Sequence, residues 1–248
     1  MRLRLSALVL AALVSSHAAL AQGKFPPDSL TNVRVFPKTM PIPQFIGAMR
    51  NFTFALGVRC QHCHLGEEGQ PLTTFNFTSD EKRTKVVARQ MMQMVAEVNR
   101  RLDSIPGKVG VGPAVTCATC HRGITRPVPL GQLIAEVAIA SGGDSATRAF
   151  RALRQRYYGR DAYDFSEASL NTAGFRTAQG KKPDDALALL KLNEEFYPVA
   201  TSTAVTRGNV LLMKGDTSAA AASFREALRR DSTNFEARTR LQNIGQKP

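Results

Sequence analysis

All four cysteines of this chain stand in two C-x-x-C pairs, and a histidine follows each pair directly. The first motif, CQHCH, occupies residues 60–64, and the second, CATCH, occupies residues 117–121. With only 4 histidines among 248 residues, composition does not account for both trailing histidines. C-x-x-C-H is the attachment motif of c-type haem, in which two thiols form thioethers with the porphyrin vinyl groups and the adjacent histidine binds the iron. We therefore expect two covalently bound haem c groups, held by Cys60, Cys63, Cys117 and Cys120, with His64 and His121 as proximal iron ligands.

Three other kinds of site use paired cysteines. A zinc site could draw on both pairs, but it leaves both histidines unexplained, and the pairs are far apart in the sequence. Thioredoxin-like redox chemistry needs a βαβ context that the sequence lacks. Structural disulfides are common in exported chains, but they also ignore the histidines. His62, inside the first motif, is expected to be a loop residue without a ligand role.

The histidine count limits the choice of the sixth iron ligands. After residue 21 the chain contains only His62, His64 and His121. Two haems with two histidine ligands each therefore cannot form within one chain. The remaining choices are methionine, an unusual ligand such as lysine, or an open position.

Met49 is the candidate ligand for the first iron. It lies 11 residues before Cys60, which is almost three helical turns. Residues 45–58 are predicted to form one apolar helix that begins after two prolines. A thioether ligand on this helix would favour ferrous iron and raise the reduction potential. The alternative that Met49 is a core residue stays open, and Met40 is a weaker candidate because it lies in Pro-rich sequence.

A second helix is predicted from about residue 79 to residue 99, and residues 78–81 (TSDE) fit a capping box at its start. It carries Met91, Met92 and Met94. Met91 and Met94 share a face because they are three positions apart, and Met92 points elsewhere. We expect one of the first two to bind the iron held by His121 and the other to pack on the haem edge.

The N-terminus has the layout of a secretory signal peptide. A basic head at residues 1–4 precedes an apolar run at residues 5–14 and the small-residue pattern ALA at residues 19–21. The run is too short for a transmembrane helix, and no later stretch approaches the length of about 20 apolar residues that a span needs. Cleavage after Ala21 is expected, with a periplasmic product. No cysteine stands at the expected new N-terminus after the apolar run, so the sequence offers no site there for bacterial-type lipidation.

The charge balance is strongly basic. The formal charge is +13, and removal of Arg2 and Arg4 leaves +11. Such a balance can attract nucleic acid, an anionic membrane or an acidic protein. Export and the lack of a Lys/Arg run interleaved with aromatic residues argue against nucleic acid. An anionic membrane, an acidic protein partner or a solvated basic surface remains.

The C-terminal third is predicted to be a helical repeat. Four positions recur after 34 residues: Gly174, Ala186, Leu190 and Pro198 correspond to Gly208, Ala220, Phe224 and Ser232. This is the period of a tetratricopeptide repeat, in which two antiparallel helices pack through small residues. Two copies are fewer than such arrays need, so a helix at residues 146–158, or the haem domain, is expected to add packing surface. The repeat is interpreted either as a docking surface or as a helical pack that completes the fold.

These observations predict an all-α protein. It is divided into a signal peptide (1–21), an extended lead-in (22–43), a di-haem cytochrome c domain (44–129), a helical connector (130–164) and a tetratricopeptide-like repeat domain (165–245).

Three stretches suggest a family. Residues 49–60 (MRNFTFALGVRC), 85–94 (KVVARQMMQM) and 115–123 (VTCATCHRG) resemble the cytochrome c subunit of bacterial photosynthetic reaction centres. The resemblance covers about residues 30–127. It implies that Met49 and Met91 are the axial ligands and that Met94 is a packing neighbour. The family's photosynthetic members carry four haems and many are lipid-anchored, whereas this chain resembles one half and adds the repeat.

The expected function is that of a periplasmic electron carrier, which passes single electrons between donor and acceptor proteins and does not act as an enzyme. One alternative is a haem-bearing interaction or assembly subunit of a larger respiratory or photosynthetic complex. Another is a di-haem peroxidase, for which too few histidines remain.

Overall fold

The computed structural model describes residues 24–106, 112 and 114–247, so the predicted signal peptide lies outside the described residues. The structure is 63% helical, and its described residues form no strand, which confirms the all-α prediction. The described residues contain ten α-helices: α1 (Ile42–Leu56), α2 (Arg83–Asp103), α3 (Cys117–His121), α4 (Leu130–Ser141), α5 (Gly143–Tyr157), α6 (Glu167–Gln179), α7 (Pro183–Phe196), α8 (Thr201–Lys214), α9 (Thr217–Arg230) and α10 (Phe235–Asn243). Two single 3-10 turns occur at Cys60–His62 and Leu72–Thr74. No helix in the described part of the chain is long and apolar enough to cross a membrane.

The chain forms two compact units. The first comprises the residues up to Thr53 together with Val58–Val115, and the second comprises Phe54–Gly57 together with Thr116 onward. The five-segment division made from the sequence remains a prediction.

Helix α1 begins earlier than the prediction of residues 45–58. It starts at Ile42, so that Pro43 lies in its first turn, where no backbone N–H donor is needed. It ends at Leu56 because Gly57 adopts a left-handed conformation with φ +64°.

Helix α2 begins four residues later than predicted and ends four residues later, at Asp103. The predicted capping box is wrong, because Lys82 is the N-cap residue and makes no side-chain cap. The Asn76 side chain instead accepts hydrogen bonds from the backbone N–H groups of Thr78 and Ser79, both at 3.0 Å. This Asx turn keeps the preceding segment out of the helix.

The second unit stacks helices α4 to α9 as three successive pairs, α4–α5, α6–α7 and α8–α9, and α10 packs against α9. A shared core joins the first two pairs and includes Leu130, Ile134, Phe150, Leu170 and Leu189, all at most 2% exposed. The α4–α5 pair therefore supplies packing surface for the α6–α7 pair.

The 34-residue spacing has a counterpart in the helix contacts. A Cβ atom added at Gly174 would lie 2.9 Å from the Leu190 side chain, and one added at Gly208 would lie 2.4 Å from the Phe224 ring. Small residues allow the two helices of each pair to approach closely at equivalent positions. The tetratricopeptide classification itself remains a prediction.

Candidate haem-binding site

The first C-x-x-C-H motif folds into one tight helical turn. The backbone N–H groups of Cys63 and His64 both donate to the carbonyl of Cys60, at 3.2 and 3.0 Å. Residues three positions apart on such a turn project to the same side, and both thiols are free. The turn can therefore present two thiols to one edge of a porphyrin, as haem c requires.

The start of α2 holds this turn in place. The Thr84 hydroxyl donates to the carbonyl of His62 at 2.5 Å, and Lys82 Nζ donates to the carbonyl of Gln61. Burial raises the pKa of the Cys63 thiol, and a hydrogen bond with Thr84 opposes that rise. The turn carrying the predicted haem-binding residues is thus tied to a helix about 20 residues downstream.

His64 is half-buried, and its imidazole is poised to remain neutral. Burial, aided by the charge of Lys85, lowers the pKa of His64 to about 4. Its Nδ1 atom is buried, and no described residue lies in position to form a hydrogen bond with it. A neutral imidazole with an unused buried nitrogen fits an iron ligand.

The second motif forms α3, a five-residue helix that comprises the motif itself. The Thr116 backbone N–H donates to the Thr119 hydroxyl at 3.0 Å, which satisfies one of the free donors at the helix start. As in the first motif, Cys117 and Cys120 lie three positions apart on a helical turn, and both are free thiols.

The His121 side chain is oriented by the backbone. Its Nδ1 atom lies 2.9 Å from the carbonyl oxygen of Ile124. Because a carbonyl can only accept, Nδ1 carries the proton, and in the neutral form of the imidazole the lone pair lies on Nε2. Histidine ligands of metals commonly donate their second nitrogen in this way. His121 therefore fits the proximal ligand position.

Two of the three methionines of α2 lie on an exposed apolar stripe. It consists of Val87, Met91, Met94 and Val98, which are 43, 39, 51 and 36% exposed. Their spacing of four, three and four residues places them on one helix face. Met92 is half-buried and lies off the stripe. An exposed apolar stripe of this kind marks a surface that binds another group, and the flat apolar face of a haem would suit it. The stripe does not discriminate between Met91 and Met94 as the iron ligand.

The two units divide the predicted site residues. Met49, half-buried on α1, belongs to the first unit with the first motif, and so do Met91 and Met94. The second motif belongs to the second unit. Pairing of Met49 with the iron of His64, and of Met91 with that of His121, remains a prediction.

Sequence reasoning missed the residues that support the two histidines. These are Phe77, Lys82, Thr84, Lys85 and Ile124. All but Ile124 act across 8 to 22 residues of sequence through backbone carbonyls or ring contacts. No motif marks such contacts. The only sequence signal was the cluster of polar residues at the start of α2.

The helical fold and the two C-x-x-C-H turns define the class of c-type cytochromes. The sequence model of the family described as "Photosynthetic reaction centre cytochrome C subunit" matches residues 12–149, more than half of the chain, and the chain therefore belongs to this family. The resemblance noted from the three motifs is confirmed. As a member, the chain is a haem-bearing electron-transfer protein that carries covalent haem c.

Three curated relatives share modest sequence identity with this chain. Cytochrome c-554 of Chloroflexus aurantiacus is 33% identical over 100 residues, covering 36% of this chain and 22% of the relative. The photosynthetic reaction center cytochrome c subunit of Rubrivivax gelatinosus is 39% identical over 70 residues, covering 28% and 15%. That of Thermochromatium tepidum is 32% identical over 117 residues, covering 46% and 25%. The matched part of the chain thus spans a quarter or less of each relative.

Proposed function

We propose that this protein is a periplasmic di-haem c-type cytochrome that passes single electrons between protein partners. The observation that carries the proposal is the hydrogen bond from His121 Nδ1 to the Ile124 carbonyl, which leaves Nε2 available beneath a C-x-x-C turn. The neutral imidazole of His64 supports the same role for the first motif.

Each motif would hold one haem. Cys60 and Cys63 would form the thioethers of the first haem, with His64 and Met49 as axial ligands. The second haem would be held by Cys117 and Cys120, with His121 and Met91 as axial ligands and Met94 as the alternative to Met91.

When bound, haem supplies a one-electron ferric–ferrous couple, and methionine ligation raises its potential. The residues of this chain orient and shield that couple. Thr84 and Lys82 hold the first turn, the Ile124 carbonyl fixes the tautomer of His121, and the Val87–Val98 stripe provides an apolar wall. These roles are those of a carrier rather than of an enzyme.

A second candidate function is that of a haem-bearing subunit docked in a larger complex through the helices of the second unit. The observation that favours it is the exposure of two large apolar side chains, Val199 at 82% and Phe235 at 80%. Val199 lies two residues before α8, and Phe235 is the first residue of α10. Exposed phenylalanine is a residue type that protein interfaces favour. Loss of co-purifying partners on replacing both by serine, with the haem spectrum unchanged, would support docking.

Haem content tests the main proposal. The mass of the purified protein should exceed that of the cleaved polypeptide by two haems, and the haem should resist acid–acetone extraction. Replacement of Cys60 and Cys63 by alanine should remove one haem and leave the other. A protein that carries zinc and no covalent haem would contradict the proposal.

A further inference from the structure

Lys85 is a buried lysine in the first turn of α2, with 9% of its surface exposed. Its Nζ atom donates to the carbonyls of Phe77 and Ser79, both at 2.8 Å, and lies 3.2 Å from an oxygen of Asp80. An ammonium has three donors and no acceptor, so the three acceptors match the charged form completely. A neutral amine would leave one acceptor unmatched.

Phe77 connects this ammonium to the first haem motif. The Phe77 ring packs edge-on against the His64 imidazole, with ring centroids 5.0 Å apart. On its other sides it contacts the rings of Phe25, at 5.4 Å, and Phe75, at 5.6 Å. Lys85 holds the backbone of the same residue, and so it acts on the position of His64 through Phe77.

The charges around Lys85 do not cancel. The Asp80 carboxylate also pairs with Arg89 at 3.0 Å and with Arg34 at 3.4 Å, and it accepts a hydrogen bond from Asn32 at 2.8 Å. Three cations therefore share one anion. The side chains of Lys85 and Arg89 are only 11% and 15% exposed, so water and salt screen their charges poorly.

We propose that Lys85 is a positioning residue of the first haem site, which holds Phe77 against His64 and, with Arg89, maintains excess positive charge that raises the reduction potential of the iron bound to His64. Ferric iron carries one more positive charge than ferrous iron, so a nearby cation disfavours the ferric form. This inference rests on the proposed function.

The test is a redox titration of the haem-loaded full chain carrying Lys85→Met, with Arg83→Met as the matched control. Both changes remove one positive charge from the start of α2, but Arg83 is exposed. Lys85→Met should shift one haem toward the oxidised form by about fourfold to sixteenfold, the effect of one charge at roughly 10 Å and an effective dielectric of about 20 to 40. Arg83→Met should leave both haems unchanged. Repetition with Cys117 and Cys120 replaced by alanine identifies the shifted haem.

Asp80→Asn distinguishes an effect of charge from a structural disturbance, and it provides the test if Lys85→Met does not fold. It removes the anion, so the same haem should shift toward the reduced form, opposite in sign to Lys85→Met. Equal potentials for the Lys85 and Arg83 variants, or shifts of the same sign for the Lys85 and Asp80 variants, would overturn the inference while two haems remain bound. Loss of covalent haem from the unmodified chain would instead contradict the proposed function.

Discussion

The Nδ1 atom of His121 lies 2.9 Å from the carbonyl oxygen of Ile124, three residues further along the chain. The backbone can fold back because Arg122 and Gly123 both adopt left-handed conformations, with φ of 48° and 86°. The Gly123 N–H also donates to the Ala55 carbonyl at 2.9 Å. The orientation of the imidazole therefore depends on a backbone contact with the end of α1.

A substitution at Gly57 should disturb this contact. A Cβ atom at Gly57 would lie 2.1 Å from the carbonyl oxygen of Gly123, and that neighbour is backbone and cannot rotate away. We expect Gly57→Ala to destabilise the protein by about 2–4 kcal/mol, from strain plus the left-handed penalty. Thermal unfolding measures this, and the spectrum of the second haem should change.

Gly69→Ala is the control for Gly57→Ala. Gly69 also has a positive φ, of +82°, but a Cβ atom there meets nothing within 4 Å. Gly69→Ala should lower the free energy of unfolding by only about 1 kcal/mol and leave both haem spectra unchanged. Equal losses of stability at the two positions would contradict the steric argument.

The family resemblance predicts that Met91, rather than its stripe neighbour Met94, binds the second iron. Met91→Ala should open that haem to carbon monoxide or cyanide, as detected by visible spectroscopy. Met92→Ala, which changes a residue off the stripe, should not. If Met94→Ala opens the haem and Met91→Ala does not, the ligand type is correct and the residue assignment is wrong.

Met49 is predicted to be the axial ligand of the first iron. Met49→His should keep that haem low-spin and lower its reduction potential, because imidazole lacks the preference of thioether sulfur for ferrous iron. A redox titration with spectral detection measures both properties. If neither Met49→Ala nor the two stripe variants alters the spectrum, the model in which these methionines bind the irons fails, and an open-site enzyme becomes the better interpretation.

The close approach of α8 and α9 predicts a defect confined to the second unit. A Cβ atom at Gly208 would lie 2.4 Å from the buried Phe224 ring, so Gly208→Ala should cost about 1–3 kcal/mol through overpacking. Gly47→Ala is the control, since a Cβ atom there meets nothing within 4 Å and alanine favours a helix by about 0.5–1 kcal/mol. Thermal unfolding should show shifts of opposite sign.

Export predicts a processed N-terminus. If the signal peptide is removed after Ala21, N-terminal sequencing or mass analysis of the haem-loaded protein should find Gln22 first. Cell fractionation should recover it from the periplasm. Retention of Met1 in haem-loaded protein would refute cleavage.

The covalent chemistry was readable from the sequence because it is local. Two thiols and a histidine must lie within five consecutive residues to serve one haem, so spacing alone predicts haem attachment at Cys60–His64 and Cys117–His121. The helical period likewise separated Met92 from Met91 and Met94 without knowledge of neighbours. The number of histidines also narrowed the choice of the sixth iron ligands, because too few histidines remain for two haems with two histidine ligands each.

Tertiary structure decided where α2 begins. The TSDE stretch satisfies the local pattern of a capping box, but Asp80 pairs with Arg89 on the helix and with Asn32, 48 residues away. Those charged hydrogen bonds outweigh a single cap, because a cap contributes only about 1 kcal/mol. Local propensity could not reveal partners so distant in the sequence.

The environments of the two histidines also could not be predicted from the sequence. His64 owes its lowered pKa to burial and to Lys85, 21 residues downstream, and His121 owes its tautomer to a left-handed turn closed by a carbonyl. Motifs specify which atoms can react, since bond formation depends on residue types a few positions apart. Charge, burial and orientation depend on residues that only folding brings together, because electrostatic and packing forces act through space rather than along the chain.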